Sequence, residues 1–203
     1  MFLERDQIAD LLRAVRGQPE ENAIIHCGLL LGLRRGEILG LKWSDVDTEE
    51  RRVHVRRSVR KRYVGLPKTK NSRRAVDAPD AALRALAAYR ESRPGENGDF
   101  IFRRDDGMRL HPETWYKRVF PKIRERAGLP STFKMHSLRH TYASLLIFQG
   151  ENIKYVSRQL GHGSIAITGD TYAHILSENT TSAMKKLDAA IGDIRRDMIR
   201  VVG

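Results

Sequence analysis

Between Arg51 and Arg74 the chain places eleven Lys and Arg residues and no Asp or Glu, interleaved with β-branched Val53, Val55 and Val59. A stretch this charged cannot enter a core, yet its valines are spaced as in strands. Residues 51–62 and 73–77 therefore read as two strands of a basic β-hairpin, joined through YVGLPKTKNS, whose Gly65, Pro67, Asn71 and Ser72 suit turns. The 203 residues carry 37 Lys plus Arg against 25 Asp plus Glu, a net charge of +12. Nearly all of that excess falls in the hairpin, so the basicity is local and points to a polyanionic partner. A solvated hairpin with incidental charge is the alternative, and the mutual repulsion of uncompensated charges weighs against it.

The remaining sequence reads as helix. Ile8, Leu11, Leu12 and Val15 recur at helical spacing, and Asn22 is a candidate cap for an apolar helix running to about Gly32. Gly36 precedes a short amphipathic turn, EILGLKW, and Asp80 is a candidate cap for AALRALAAYRE. Pro112 fits the first turn of a helix through about Arg126, with Pro121 as a kink and Gly128 as its stop. Helices are also expected around HSLRHTYASLLIF, from Asn152 to Leu160, and from about Glu178 to Ile199. The expected class is α+β, mainly helical with a small antiparallel β-sheet, in one domain over residues 1–203. No apolar run approaches the roughly 18 to 20 residues of a membrane span, and MFLERDQIAD lacks a secretory-signal layout, so a soluble, cytoplasmic protein with no membrane partner is expected. The single cysteine, Cys27, lies in an apolar run and reads as core, which leaves no disulfide framework.

Several short motifs have the residue types of a reactive centre, and each has an ordinary structural reading. Arg34 and Glu37 stand three apart in GLLLGLRRGEILGLKW, as a surface salt bridge would. His136 and Arg139 stand one turn apart in KMHSLRHTYAS. His136 and His140 have the i, i+4 spacing of zinc ligands, but no Glu follows the first His and no third ligand is evident, so neither a metal nor another cofactor is expected. His162 in QLGHGS could be only a helix cap, and Tyr172, in the polar segment ITGDTYAHI, only a packing residue.

Taken in order, GLRRGEILGLKWSDVD, a lysine in a β-hairpin, HSLRHTYAS, LGHGS and DTYAHI resemble the motif boxes of the tyrosine recombinase (phage integrase) family. The resemblance runs from about Phe2 into the C-terminal helix and implies that family's catalytic-domain fold. Carried over by position, it implies Arg34, His136, Arg139 and His162 as catalytic residues and Tyr172 as nucleophile. The hairpin lysine is Lys68 or Lys70, with Lys68 preferred because it precedes a threonine. Glu37 would hold the helix that presents Arg34. The implied partner is double-stranded DNA, with Arg56, Arg57, Arg60, Lys61, Arg62, Lys70, Arg73 and Arg74 on its phosphates. A homotetramer on DNA is implied for a full-length protein, with a monomer expected for this chain, and an origin in a bacterium, phage or mobile element.

The chemistry is consistent with these residue types. A tyrosine attacking a phosphodiester builds a pentavalent centre with extra negative charge, which two arginine forks can stabilise. Histidines can donate hydrogen bonds or act as base, and a lysine can protonate the departing 5′ oxygen. DNA relaxation by a type IB topoisomerase-like enzyme, or silent DNA binding, are the alternatives. The family's usual N-terminal core-binding domain is not recognisable ahead of Phe2, which suggests a catalytic fragment. Asp77, where the family often has proline, and Gly169 depart from the pattern without touching a catalytic position.

Overall fold

The computed structural model describes residues 2–60, 63–65 and 73–173. Its helices are α1 (Arg5–Ala14), α2 (Pro19–Leu30), α3 (Arg35–Ile38), α4 (Asp80–Ser92), α5 (Pro112–Arg118), α6 (Phe120–Arg126), α7 (Met135–Phe148), α8 (Ile153–Leu160) and α9 (165–173). Five short strands lie between α3 and α4: β1 (Val46–Asp47), β2 (Arg52–Val55), β3 (Ser58–Arg60), β4 (Tyr63–Gly65) and β5 (Arg74–Asp77). The chain is thus mainly helical with a small antiparallel sheet, as expected. The helix expected over 178–199 lies outside the described residues, as do Lys61, Arg62, Lys68 and Lys70.

The core forms around α2. Ala23, Ile24, Ile25, Cys27 and Leu29 are all buried, so this helix hides most of its surface, leaving Asn22, His26 and Leu30 half-buried along one strip, and packs against both α4 and α7. It begins earlier than Asn22: Pro19 occupies the first turn, where its missing N–H costs nothing, and Glu20 and Glu21 face the positive end of the helix dipole. Asp80 likewise lies inside the first turn of α4 instead of capping it. The helix expected from Pro112 is interrupted at Val119, directly ahead of Phe120 and Pro121, and Gly128 ends it at φ +62°. The helix expected from Asn152 to Leu160 is present as α8, and Asn152 caps it, its side chain accepting from Lys154 N–H at 2.8 Å.

The basic hairpin is two ladders instead of one. β2 pairs antiparallel with β5 and with β1, placing Val53 and Val55 of β2, and Val76 of β5, in the core. β3 pairs separately with β4, so YVG belongs to a strand and not to the connecting turn. The break falls at Arg56 and Arg57, which turn toward Asp45. That carboxylate is fully buried, and Arg57 bonds it through both terminal nitrogens while also donating to Gly40 O at 3.1 Å. An unpaired buried carboxylate would be costly, so the chain leaves strand geometry to bring it a guanidinium. Among the described residues no helix is long and apolar enough to cross a membrane.

Candidate active site

Two glycines shape the backbone beneath the site. Gly36 in α3 lies against β3, where an added Cβ would stand 2.5 Å from Val59 O. Gly32 has φ +60° and lies against the Tyr142 ring, and its carbonyl accepts Arg139 Nη1 at 2.8 Å. Arg34, immediately before α3, and Arg139, in α7, are thereby held by segments packed directly on one another.

Glu37 is the carboxylate on which two arginines converge. Its Oε1 accepts Arg34 Nη1 at 2.9 Å and Arg74 Nη1 at 3.1 Å; its Oε2 accepts Arg34 N–H at 2.9 Å and Arg74 Nη2 at 3.0 Å. Burial pushes Glu37 upward, but the hydrogen bonds and charge of Arg74, followed by those of Arg34, hold it below the usual carboxylate range. The Arg34 side chain is 39% exposed, so a ligand can reach its guanidinium, whereas the Arg74 side chain is 4% exposed.

Arg139 is differently placed. It is buried and forms no ion pair among the described residues; its Nη1 and Nη2 donate to Gly32 O and to Leu160 O, at 2.8 and 2.5 Å. Burial, then the Arg34 charge, lowers its pKa to about 9, so at neutral pH it remains a cation held by neutral carbonyls. Such a cation is a ready anion site.

The C-terminus of α8 supplies part of that cradle. Its last four carbonyls need partners outside the helix ladder. Ser157 O accepts His162 N–H and Arg158 O accepts Gly161 N–H, around Gly161 at φ +65°. Gln159 O accepts Arg74 Nε at 2.6 Å, and Leu160 O accepts Arg139. The same turn presents His162, whose Nδ1 lies 2.8 Å from the hydroxyl of buried Thr168. His162 and His136 are both lowered to about 4, mainly by burial and then by neighbouring charges, with Arg139 and Arg34 acting on both, so both rings are neutral at pH 7.

Tyr172 lies in α9, which takes up most of the polar segment ITGDTYAHI. It is buried with Tyr142, Ala143, Ile147, Val156 and Leu160, and its hydroxyl lies 3.0 Å from His140 Nδ1. Burial pushes its phenol up to about 12, while the Arg139 charge acts in the opposite direction. Two clefts border the cluster, one of about 660 Å³ lined by Arg73, Arg74, Lys154, Arg158 and His162, the other of about 500 Å³ lined by Arg34, Arg60, Lys134 and His136. Among the described residues no group of three or more His, Cys, Asp or Glu could hold a metal ion.

The fold thus gathers Arg34, Glu37, His136, Arg139, His162 and Tyr172 around one region, while Lys68 lies outside the described residues. Arg57 turns in to Asp45 and so does not match the expectation of phosphate contact, while Arg74 pairs with Glu37 and also lines the larger cleft beside Arg73; each compensates a buried carboxylate. Arg56 is half exposed but also donates to Asp45 Oδ1, at 3.3 Å, whereas Arg60 and Arg73 face the clefts. Asp77 is closer to the site than its neighbours in sequence suggest. It bonds Gln159 through both backbone N–H and side chain and accepts from the Tyr155 hydroxyl, tying β5 to the end of α8.

Known proteins resemble this chain in sequence and in fold. The sequence profile of the phage integrase family matches residues 1–179. A XerC-like tyrosine recombinase of Caldanaerobacter subterraneus subsp. tengcongensis is 31% identical over 90% of this chain and 52% of its own length, and the tyrosine recombinase XerA of Thermococcus onnurineus is 30% identical over 91% and 61%. This chain therefore spans about half the length of the first of these relatives. Among solved structures, the Tn1549 transposon integrase in complex with transposon right end DNA has a TM-score of 0.80 at 23% identity, covering 93% of this chain and 66% of that one. The catalytic domain of bacteriophage HP1 integrase has a TM-score of 0.63 at 26% identity, with 91% and 93% covered. The chain belongs to the phage integrase family, the tyrosine recombinases.

Proposed function

We propose that this chain cleaves and rejoins DNA strands in site-specific recombination, with Tyr172 as the nucleophile. The observation that carries the reading is Arg139: a buried cation held by Gly32 O and Leu160 O, without an ion-paired carboxylate among the described residues, beside a buried tyrosine. A phosphodiester supplies the missing anion. Arg34 and Arg139 clamp its non-bridging oxygens with planar forks, and neutral His162 donates a further hydrogen bond. His136 lines the cleft beside Arg34, where it orients the phosphate. The basic clefts lined by His162 and by Arg34 with His136 accept the flanking phosphates of a duplex. Transposon right end DNA bound to the Tn1549 integrase, a protein of this fold, supports the same ligand class here.

Attack by Tyr172 Oη on phosphorus forms a 3′-phosphotyrosine and releases a 5′ hydroxyl, whose proton comes from the hairpin lysine, Lys68 by sequence position. Ionising a phenol whose pKa is about 12 at pH 7 costs on the order of 7 kcal/mol. Arginine charge at the phosphate stabilises the resulting negative charge in the transition state. The link retains the energy of the diester, so a 5′ hydroxyl of another strand can reseal it, and four such chains on two sites would complete an exchange. A pool of duplexes nicked beside a randomised cleavage site tests the reading. The wild-type chain should form a denaturant-resistant protein–DNA adduct and Tyr172→Phe should form none; an adduct with the Phe variant would show another nucleophile.

A further inference from the structure

The group that meets the Tyr172 hydroxyl is not His136. His140 Nδ1 lies 3.0 Å from Tyr172 Oη, whereas the His136 ring stands edge-on to His140, with 4.7 Å between ring centroids. Helix α7 produces this arrangement: residues four apart share a face, so the His136 and His140 rings meet edge to face, while Arg139 turns to Gly32 O and Leu160 O. Tyr172 is held in place by Tyr142, Ala143, Ile147, Val156 and Leu160, so the contact is set by packing on two helices.

We propose that His140 is the proton acceptor for the Tyr172 nucleophile, an assignment that rests on the strand-cleavage reading above. The phenol needs an acceptor to reach phosphorus as an oxyanion, and the charge acting on it among the described residues is that of Arg139, a cation that cannot serve. His140 can serve because burial, together with the Arg139 charge, keeps its ring below the usual histidine range, and a neutral imidazole with its proton on Nε2 presents a lone pair at Nδ1. As the Tyr172 Oη–phosphorus bond forms, the phenolic proton passes to His140 Nδ1. The bond from phosphorus to the 5′ oxygen breaks, and that oxygen takes a proton from the hairpin acid. Resealing reverses each transfer. The imidazolium at His140 forms as the phosphorane gains extra negative charge nearby and keeps its proton through the phosphotyrosine intermediate until resealing returns it, which favours transfer within the transition state over prior ionisation. His136 is thereby left to the phosphate.

The test is the single-turnover rate of adduct formation by the full chain on the nicked, randomised duplex pool. His140→Ala should slow it about 100- to 10,000-fold, the usual contribution of a positioned base. His140→Asn places an amide oxygen near the position of Nδ1, so it accepts the hydrogen bond but takes no proton; it also remains informative if the Ala variant fails to fold. A base role predicts that Asn stays within about tenfold of Ala, and that a ring-fluorinated tyrosine at position 172, with a more acidic phenol, restores much of the rate in both. A His140→Asn rate close to wild type would overturn the proposal, because holding the hydroxyl would then suffice. So would an unchanged rate in His140→Ala. Failure of the wild-type chain to form any adduct would instead overturn the strand-cleavage reading itself.

Discussion

Glu37→Gln is the change that most directly probes how the arginine cluster is held. The amide keeps the shape of the carboxylate but places an NH2 group where one oxygen was. Oε1 and Oε2 each accept two hydrogen bonds from Arg34 and Arg74, so either orientation of the amide leaves two donors facing a donor. Two lost hydrogen bonds involving a charged group amount to about 3–6 kcal/mol. The cost of breaking a buried ion pair, which the Arg74 side chain at 4% exposure and Glu37 at 2% form, is about 3–5 kcal/mol. These are two views of one loss and do not add. For a chain of this size each kcal/mol moves the melting temperature by about 2–4 °C, so Glu37→Gln should melt about 6–20 °C below wild type at pH 7. Thermal unfolding followed by circular dichroism reads the shift. The pH dependence has a definite sign. Because Glu37 is held below its unfolded value of 4.5 in the folded chain, its contribution is fully present above 4.5 and is lost as pH falls through the lower folded value. The gap between variant and wild type should therefore close in strong acid. Adding Arg74→Met should recover part of the loss, since the stranded cation is then gone. A Glu37→Gln chain melting within about 2 °C of wild type at pH 7 would refute the reasoning.

Arg139→Lys replaces a fork that reaches both Gly32 O and Leu160 O with a single ammonium. Adduct formation should fall about a hundredfold or more while low-salt DNA retention changes less than about threefold, because the charge remains. Gly36→Ala puts a Cβ 2.5 Å from Val59 O, a backbone atom that cannot turn aside. Overpacking of about 1–3 kcal/mol should lower the melting temperature by about 2–12 °C, and an unchanged value would mean that α3 and β3 are less closely packed than described. His162 has a folded pKa of about 4 against 6.5, so the unfolded chain binds its proton first as pH falls. Stability should decline between pH 6.5 and about 4 by at most roughly 3 kcal/mol, less solvent screening at a partly exposed ring, and urea midpoints for His162→Gln should fall less steeply across that window.

Much of the helical framework was legible because local rules decide it. Ile8, Leu11 and Leu12 give α1 its apolar face, and Asn152 and Gly161 mark the two ends of α8. The β-region was read less well, since its break has a distant cause. Arg56 and Arg57 leave the strand to reach Asp45, eleven and twelve residues earlier, and no local propensity reports a buried carboxylate elsewhere in the chain. The motif boxes identified Arg34, His136, Arg139, His162 and Tyr172, but an inventory of hairpin cations could not say which way each faced. Strand geometry offered a partial signal. Arg73 and Arg74 are adjacent, and neighbours in an extended chain point to opposite sides, so their surroundings had to differ even though both border one cleft, Arg74 being the one that reaches Glu37. His140 was visible as a partner to His136 at i, i+4; reading that spacing only as a metal motif hid its relation to Tyr172, which depends on how α9 packs.

Asp77 shows why the cluster needs the end of α8 and not merely its own residues. Two guanidiniums at one phosphate site repel each other, and carboxylates sufficient to neutralise both would also remove the attraction for DNA. The chain neutralises in part. Glu37 takes Arg74 and one face of Arg34, while the last carbonyls of α8, at the negative end of its dipole, hold Arg74 and Arg139 with no full countercharge. That works only if α8 stays in register with β5, and Asp77 provides the register by bonding Gln159 through backbone and side chain and by accepting from Tyr155. A proline at this position would lack the N–H that Gln159 now accepts, so this chain joins sheet to helix by polar contacts that a proline-bearing relative must replace by other means. Asp77→Pro should therefore loosen Leu160 O beneath Arg139 and slow adduct formation even though no catalytic side chain is altered. Suppression of that defect by Gln159→Leu, which removes the stranded amide, would locate the effect in this link, whereas an Asp77→Pro chain with wild-type rate would show that Arg139 is held without it.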